Sequence, residues 1–186
     1  MQFEKNKIIS LPTWLDTIKS NEISCENDID KMNIVIELAK KNIENHTGGP
    51  FSAAVFDCNS NEIISFGVNL VEPMQTSIAH AEMIALIFAQ QNLKTHRLDT
   101  GVYELISLAQ PCAMCYGALF WSGIKRLVYG ATKEDVQFLT GFDEGPLPEN
   151  WIIELNKRGV DVIGKIRQNE ACHVLSSYIE NNGNLY

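Results

Sequence analysis

The chain has 186 residues, 45% of them hydrophobic, and a formal net charge of −8. That length and apolar content suit one globular domain with one good core. The acidic balance argues against nucleic acid, which is bound through clustered Lys and Arg, and no apolar run is long enough to span a membrane. The start, Met1-Gln2-Phe3-Glu4-Lys5, lacks the apolar core of a secretory leader. Five cysteines is an odd count that reads as reduced thiols, so the expectation is a cytoplasmic protein.

Residues 1–29 show no clean periodicity, though Ile8, Ile9, Leu11, Trp14, Leu15 and Ile18 could pack as an arm. From Asp30, a good N-cap, Met32, Val35, Ile36, Ala39 and Ile43 recur at helical spacing. His46-Thr47-Gly48-Gly49-Pro50 stops that helix. Phe51 to Phe56 and Glu62 to Val68 are predicted strands, joined as a hairpin by the turn residues Asp57-Cys58-Asn59-Ser60-Asn61.

A loop from Val68 to Pro73 leads to a predicted helix over about Ala79 to Gln91. It is apolar nearly all round and so should be buried. Then follow a strand (Val102 to Leu108), a second buried helix (Cys112 to Trp121) closed by Ser122-Gly123, and a strand (Lys125 to Tyr129). Helices near Lys133 to Leu139 and Glu149 to Arg158 flank the loop Thr140 to Pro148. A strand near Val160 to Ile163 and a helix near Asn169 to Ile179 end the chain. The expected fold is α/β, a mixed five-stranded sheet with helices on both faces, as a three-layer α/β/α sandwich. It forms a single domain, 30–186, behind an N-terminal arm, 1–29.

The chemistry concentrates between His80 and Cys115. His80-Ala81-Glu82 opens one predicted helix, and Pro111-Cys112-Ala113-Met114-Cys115 opens the next. Cys112 and Cys115, at i and i+3, put both sulfurs on one face. One imidazole and two thiolates make three zinc ligands that leave a fourth position for water, the mark of a catalytic site. His80 and Glu82, two apart, cooperate only if the site meets the helix end-on. Both helix N-termini would then aim their partial positive charge at the site. Glu82 is placed to move protons. A Cys-x-x-Cys alone could equally be a redox dithiol, and the upstream His-Ala-Glu tips the balance, because H-x-E followed by P-C-x-x-C is the zinc-deaminase pattern. His46, His96 and His173 read as surface or packing residues. Phe120 and Trp121 read as core aromatics, and Lys133/Glu134 as a solvated face.

These residues resemble the cytidine-deaminase-like superfamily of zinc enzymes. The longer similarity is to its guanine deaminase branch, some members of which act on amino-triazines such as ammeline. It spans residues 30–186 and rests on Gly48-Gly49-Pro50-Phe51, Asn69, Ala79-His80-Ala81-Glu82, Pro111-Cys112-x-x-Cys115, Gly141-Phe142-Asp143-Glu144 and Tyr186. The resemblance implies a cytidine-deaminase-like fold and Zn2+ held by His80, Cys112 and Cys115. It makes Glu82 the proton shuttle and Glu144 a second acid that reads the substrate and protonates the leaving amine. Asn69 and Ala81 would contact the base, with Phe51, Trp121 and Tyr186 walling or capping the pocket. It also implies a homodimer whose C-terminal segment is exchanged, so that Glu144 and Tyr186 would complete the partner's site.

Where many relatives carry Glu before the Pro-Cys pair, this chain has Gln110, a neutral amide. The expected reaction is hydrolysis of guanine to xanthine and ammonia. The alternatives on the same scaffold are guanosine, cytidine, cytosine, an amino-triazine or tRNA adenosine. A Cys-x-x-Cys redox protein is the alternative from another class.

Overall fold

A computed structural model describes residues 9–18 and 23–186. Five strands lie in the order β2-β1-β3-β4-β5: β1 (Ser52–Asp57), β2 (Ile63–Val68), β3 (Tyr103–Ala109), β4 (Arg126–Ala131) and β5 (Asp161–Ile163). β1 pairs antiparallel with β2 and with β3, whereas β3–β4 and β4–β5 are parallel. The helices are α1 (Asp28–Glu44), α2 (Val71–Met74), α3 (Ala81–Asn92), α4 (Ala113–Ser122), α5 (Lys133–Thr140), α6 (Trp151–Asn156) and α7 (Gln168–Glu180). This is the expected α/β/α sandwich with its opening hairpin.

Alternation along the strands builds the two cores, because successive side chains leave opposite faces of a sheet. Ala54, Phe56, Ile106, Leu108 and Val128 face one way, against Met32, Val35 and Ala39 of α1 and Ala171, Val174 and Leu175 of α7. Ala53, Val55, Leu105, Leu127 and Tyr129 face the other, against Ala81, Ala85 and Ala89 of α3, Leu119 of α4 and Leu155 of α6. A third cluster joins Leu38, Val68, Leu70, Ala79 and Ile84 to Leu15. The arm therefore does pack, through a 3-10 turn at Thr13–Thr17 that had no periodic signal. Ile8 lies outside the described residues.

Several boundaries differ from expectation. α1 starts two residues before Asp30, because the Oδ1 of Asn27 accepts from the amides of Ile29 and Asp30. Asp30 instead accepts from the amide of Glu26, at 3.0 Å. α6 is confined to Trp151–Asn156. α4 is only partly covered, with Cys115, Leu119 and Ser122 buried, and Trp121 is 80% exposed. That overturns the expectation that Trp121 is a core aromatic. An all-apolar composition cannot tell which side of a helix meets the sheet. Among the described residues, no helix is long and apolar enough to cross a membrane.

Candidate metal centre and active-site pocket

The parallel strands β3 and β4 deliver the chain to one end of the sheet, where the site forms. His80 is the N-cap residue of α3 and Cys112 that of α4, both with extended backbones. Glu82 and Cys115 follow in the first turns. The geometry is end-on, so residues two apart in sequence can serve one centre. The Nδ1 of His80 lies 3.5 Å from the Sγ of Cys112 and 3.8 Å from the Sγ of Cys115. The three donor atoms all fall within 4.8 Å of one another. A tetrahedral ion with bonds of about 2.1 Å to N and 2.3 Å to S needs N–S separations of roughly 3.6 Å. The donor set fits such an ion.

The three ligands differ in how readily they give up a proton. Cys112 is pulled down to about 4 by the hydrogen bond from the Cys115 thiol, with burial opposing and the His80 bond helping. Cys115 is raised well above its ordinary value, by that shared bond and by burial. For His80, burial lowers the pKa, but the Cys112 bond and the negative charges of Glu82 and Glu144 outweigh it, so the net shift is upward.

Glu82 is 7% exposed. Burial first, then the Cys112 thiolate, push its carboxyl above the usual range. The hydroxyl of Ser107 on β3 donates to its Oε1 at 3.3 Å. Glu144, 8% exposed, is pushed up to about 8 by burial and by the charges of Cys112 and Glu82. A bound dication would act in the opposite direction on both carboxyls.

His80, Glu82 and Cys112 line one cavity of about 120 Å³ with Phe51, Asn69, Val71, Ser77, Ala109, Gln110, Phe142, Asp143, Glu144 and Tyr186. That is small beside the 300–1,000 Å³ of pockets for drug-sized ligands. The expected residues Phe51, Asn69, Glu82, Glu144 and Tyr186 are thus brought together in one chain. Tyr186 lines the pocket beside Glu144. Ala81 is fully buried beneath the site and does not line the cavity. Trp121 does not wall it either. It lines a separate surface groove with Met83, Ile87 and Ala118, since the far end of α4 points away from the centre that its first turn serves.

The sequence missed several participants. Phe142 is the hub of the aromatic wall, 5.4 Å from Phe51 and 4.8 Å from Tyr186 between ring centres. Gln110 lines the pocket and accepts from the backbone amide of Lys133 at 3.2 Å, so it caps the start of α5. Lys133 is not a solvated charge. Its Nζ donates to the carbonyl of Gly145 at 2.5 Å, which tethers the loop that carries Glu144. That loop is also pinned to α4, where the Ala113 amide donates to the Glu144 carbonyl at 3.0 Å. Such partners lie far apart in sequence and carry no motif.

Known proteins resemble this chain in both sequence and fold. The family model for the cytidine and deoxycytidylate deaminase zinc-binding region matches residues 25–131. The solved structure of guanine deaminase from Nitrosomonas europaea is 40% identical, with a TM-score of 0.88, covering 96% of this chain and 98% of that one. The probable cytosine deaminase of Schizosaccharomyces pombe is 31% identical over 83% of this chain and 93% of its own length. A tRNA-specific adenosine deaminase of Buchnera aphidicola is 38% identical over 64% of this chain and 74% of its own.

Proposed function

The chain belongs to the family that carries the cytidine and deoxycytidylate deaminase zinc-binding region, and from that premise we propose that it hydrolyses guanine to xanthine and ammonia. One observation carries the substrate. Glu144 and Tyr186 lie in the same small pocket as Glu82, Asn69 and the His/Cys/Cys cluster. The similarity to the Nitrosomonas europaea guanine deaminase extends over nearly the whole chain, and so supports the same reading.

We assign the metal as zinc, held by His80, Cys112 and Cys115. When bound, it supplies Lewis acidity that brings a water within reach of ionisation at neutral pH. The chain's own residues move the protons. The Glu82 carboxylate takes a proton from the attacking water and delivers it to ring N3, next to the C2 that is attacked. Ser107 holds the opposite carboxylate oxygen, so Glu82 keeps its aim through both transfers. Glu144 gives a proton to the departing C2 amine and, then ionised, takes back the proton of the new C2 hydroxyl as the carbonyl forms and ammonia leaves. Proton relays of this kind contribute about 10²–10⁴-fold. Asn69 fixes the ring. Its Oδ1 accepts from the Val71 amide at 3.2 Å, which leaves Nδ2 as the donor for a ring acceptor. Phe51 and Phe142 supply apolar faces, and Tyr186 closes the mouth against bulk water.

A small cavity favours a free base over a nucleoside or tRNA. We further propose a homodimer. Trp121, 80% exposed beside half-buried Met83 and Ile87, is the kind of aromatic that interfaces cover.

The test is ammonia release by zinc-loaded protein from guanine, guanosine, ammeline, cytosine, cytidine and adenine in parallel. Guanine is expected to lead. Activity confined to a nucleoside or triazine would keep the zinc chemistry and replace the substrate.

A further inference from the structure

A chain of hydrogen bonds runs from the N-terminal arm to the back of Asn69. The indole N–H of Trp14 donates to the Thr47 hydroxyl at 3.0 Å. That hydroxyl donates onward to the Oδ1 of Asn42, at 2.7 Å. The Asn42 side chain is fully buried, and its Nδ2 donates twice, to the carbonyls of Gly49 at 2.9 Å and Asn69 at 3.1 Å.

The direction of each bond is forced. Indole N–H can only donate, so Thr47 must accept from it and spend its single proton on Asn42. The two carbonyls need donors, so the amide of Asn42 can face only one way. Flipping it would set its oxygen against two others in a buried space. The backbone leaves little slack: a Cβ on Gly48 would come within 1.9 Å of the Asn69 carbonyl and 2.8 Å of the Asn42 amide nitrogen. Asn69 is also held by its own amide to Phe51, at 2.9 Å, and its neighbour Leu70 bonds Ala79, just before the ligand His80.

We propose that Asn42 is a positioning residue for Asn69, and that the arm, through Trp14 and Thr47, locks Asn42 in the working orientation. This rests on the assignment of Asn69 as the residue that reads the base. It gives the N-terminal arm a part in substrate recognition beyond covering apolar surface. Satisfied buried networks of this kind fix a single arrangement, because any broken link strands a polar group in low dielectric.

The experiment uses the full zinc-loaded chain with Thr47→Val and Trp14→Phe, which remove one hydroxyl and one N–H while keeping apolar bulk. Each is made alone and in an Asn69→Ala background. With Asn69 present, kcat/KM for guanine is expected to fall about tenfold, mostly through KM, with one zinc per chain retained. In the Asn69→Ala background the same substitutions should change it by less than about twofold, because the residue they orient is gone. Equal losses in both backgrounds, or none in either, would overturn the proposal. The Asn69 side-chain amide resonances, recorded without substrate, give a readout independent of turnover. They should move in both variants; unchanged resonances would overturn the proposal even if guanine proved not to be the substrate. A wild-type protein silent on guanine, with those resonances moved, would reject the substrate and keep the positioning role.

Discussion

The hydroxyl of Tyr186 occupies the space where Gly49 has no side chain: a Cβ there would come within 1.9 Å of it. The terminal residue is seated on the glycine turn that also frames the pocket. The tail is held by the Tyr178 hydroxyl, which donates to the Asn184 carbonyl at 2.8 Å, and by the Asn184 amide, which donates to Glu72 at 3.1 Å. Gly49→Ala should therefore unseat Tyr186. Guanine KM is expected to rise roughly ten- to a hundredfold, the cost of misplacing a group by about 1 Å. In a Tyr186→Ala background, Gly49→Ala should add little. Steady-state kinetics on the four proteins check this, and a full additional loss would show that the turn matters for another reason.

Glu82 shares the cavity with the metal ligands but is not itself one of the three donors. Glu82→Gln should keep one zinc per chain and an unchanged melting temperature while kcat drops about 10²–10⁴-fold. Metal analysis beside ammonia release separates the two effects. Retained turnover would remove Glu82 from the proton relay.

Glu144 offers a pH test with a definite sign. Its folded pKa, about 8, lies above its ordinary 4.5, so the native state holds a proton that the unfolded chain releases. Its contribution to stability is complete below about 4.5 and is lost as pH rises toward 8. In chelator-treated protein, Glu144→Gln should thus gain stability relative to wild type as pH rises through that window, then level off. Urea unfolding at pH 5, 6, 7 and 8.5 measures the difference; a difference that stays flat would contradict the assigned shift.

Metal uptake should also follow pH. Cys112 is already pulled down to about 4, but Cys115 is raised and must give up a proton to bind. Zinc affinity is expected to rise about tenfold per pH unit between 6 and 8, since ligand protons compete with the metal. Competition against a chelator of known affinity reads this directly. A pH-independent affinity would mean that Cys115 does not ligate.

Far from the pocket, Lys31 is 4% exposed and pairs with Glu104 at 2.5 Å, with Asn61 as a second acceptor at 2.5 Å. Arg126 joins Glu104 to Asp28, which ties α1 to β3 and β4. Lys31→Met should cost about 3 kcal/mol, the low end for opening a buried pair, because Arg126 still serves Glu104. Chemical denaturation checks the value, and the kinetics of the zinc-loaded variant should be unchanged.

Some of this molecule was determined by sequence alone, because the signals are local. Period-two and helical patterns set five strands and the main helices. The spacing His80-x-Glu82 with Cys112-x-x-Cys115 set the metal chemistry, since ligand identity and helix geometry are properties of short segments. What only the tertiary structure decided depends on groups brought together from afar. It placed Trp121 in the open, because composition does not say which side of α4 meets the sheet. It turned Lys133 into a tether for the Glu144 loop and Gln110 into a cap for α5. It also gave the arm a route through Trp14, Thr47 and Asn42 to Asn69. Each such bond joins residues whose separation in sequence carries no period, and only the packed chain brings donor to acceptor.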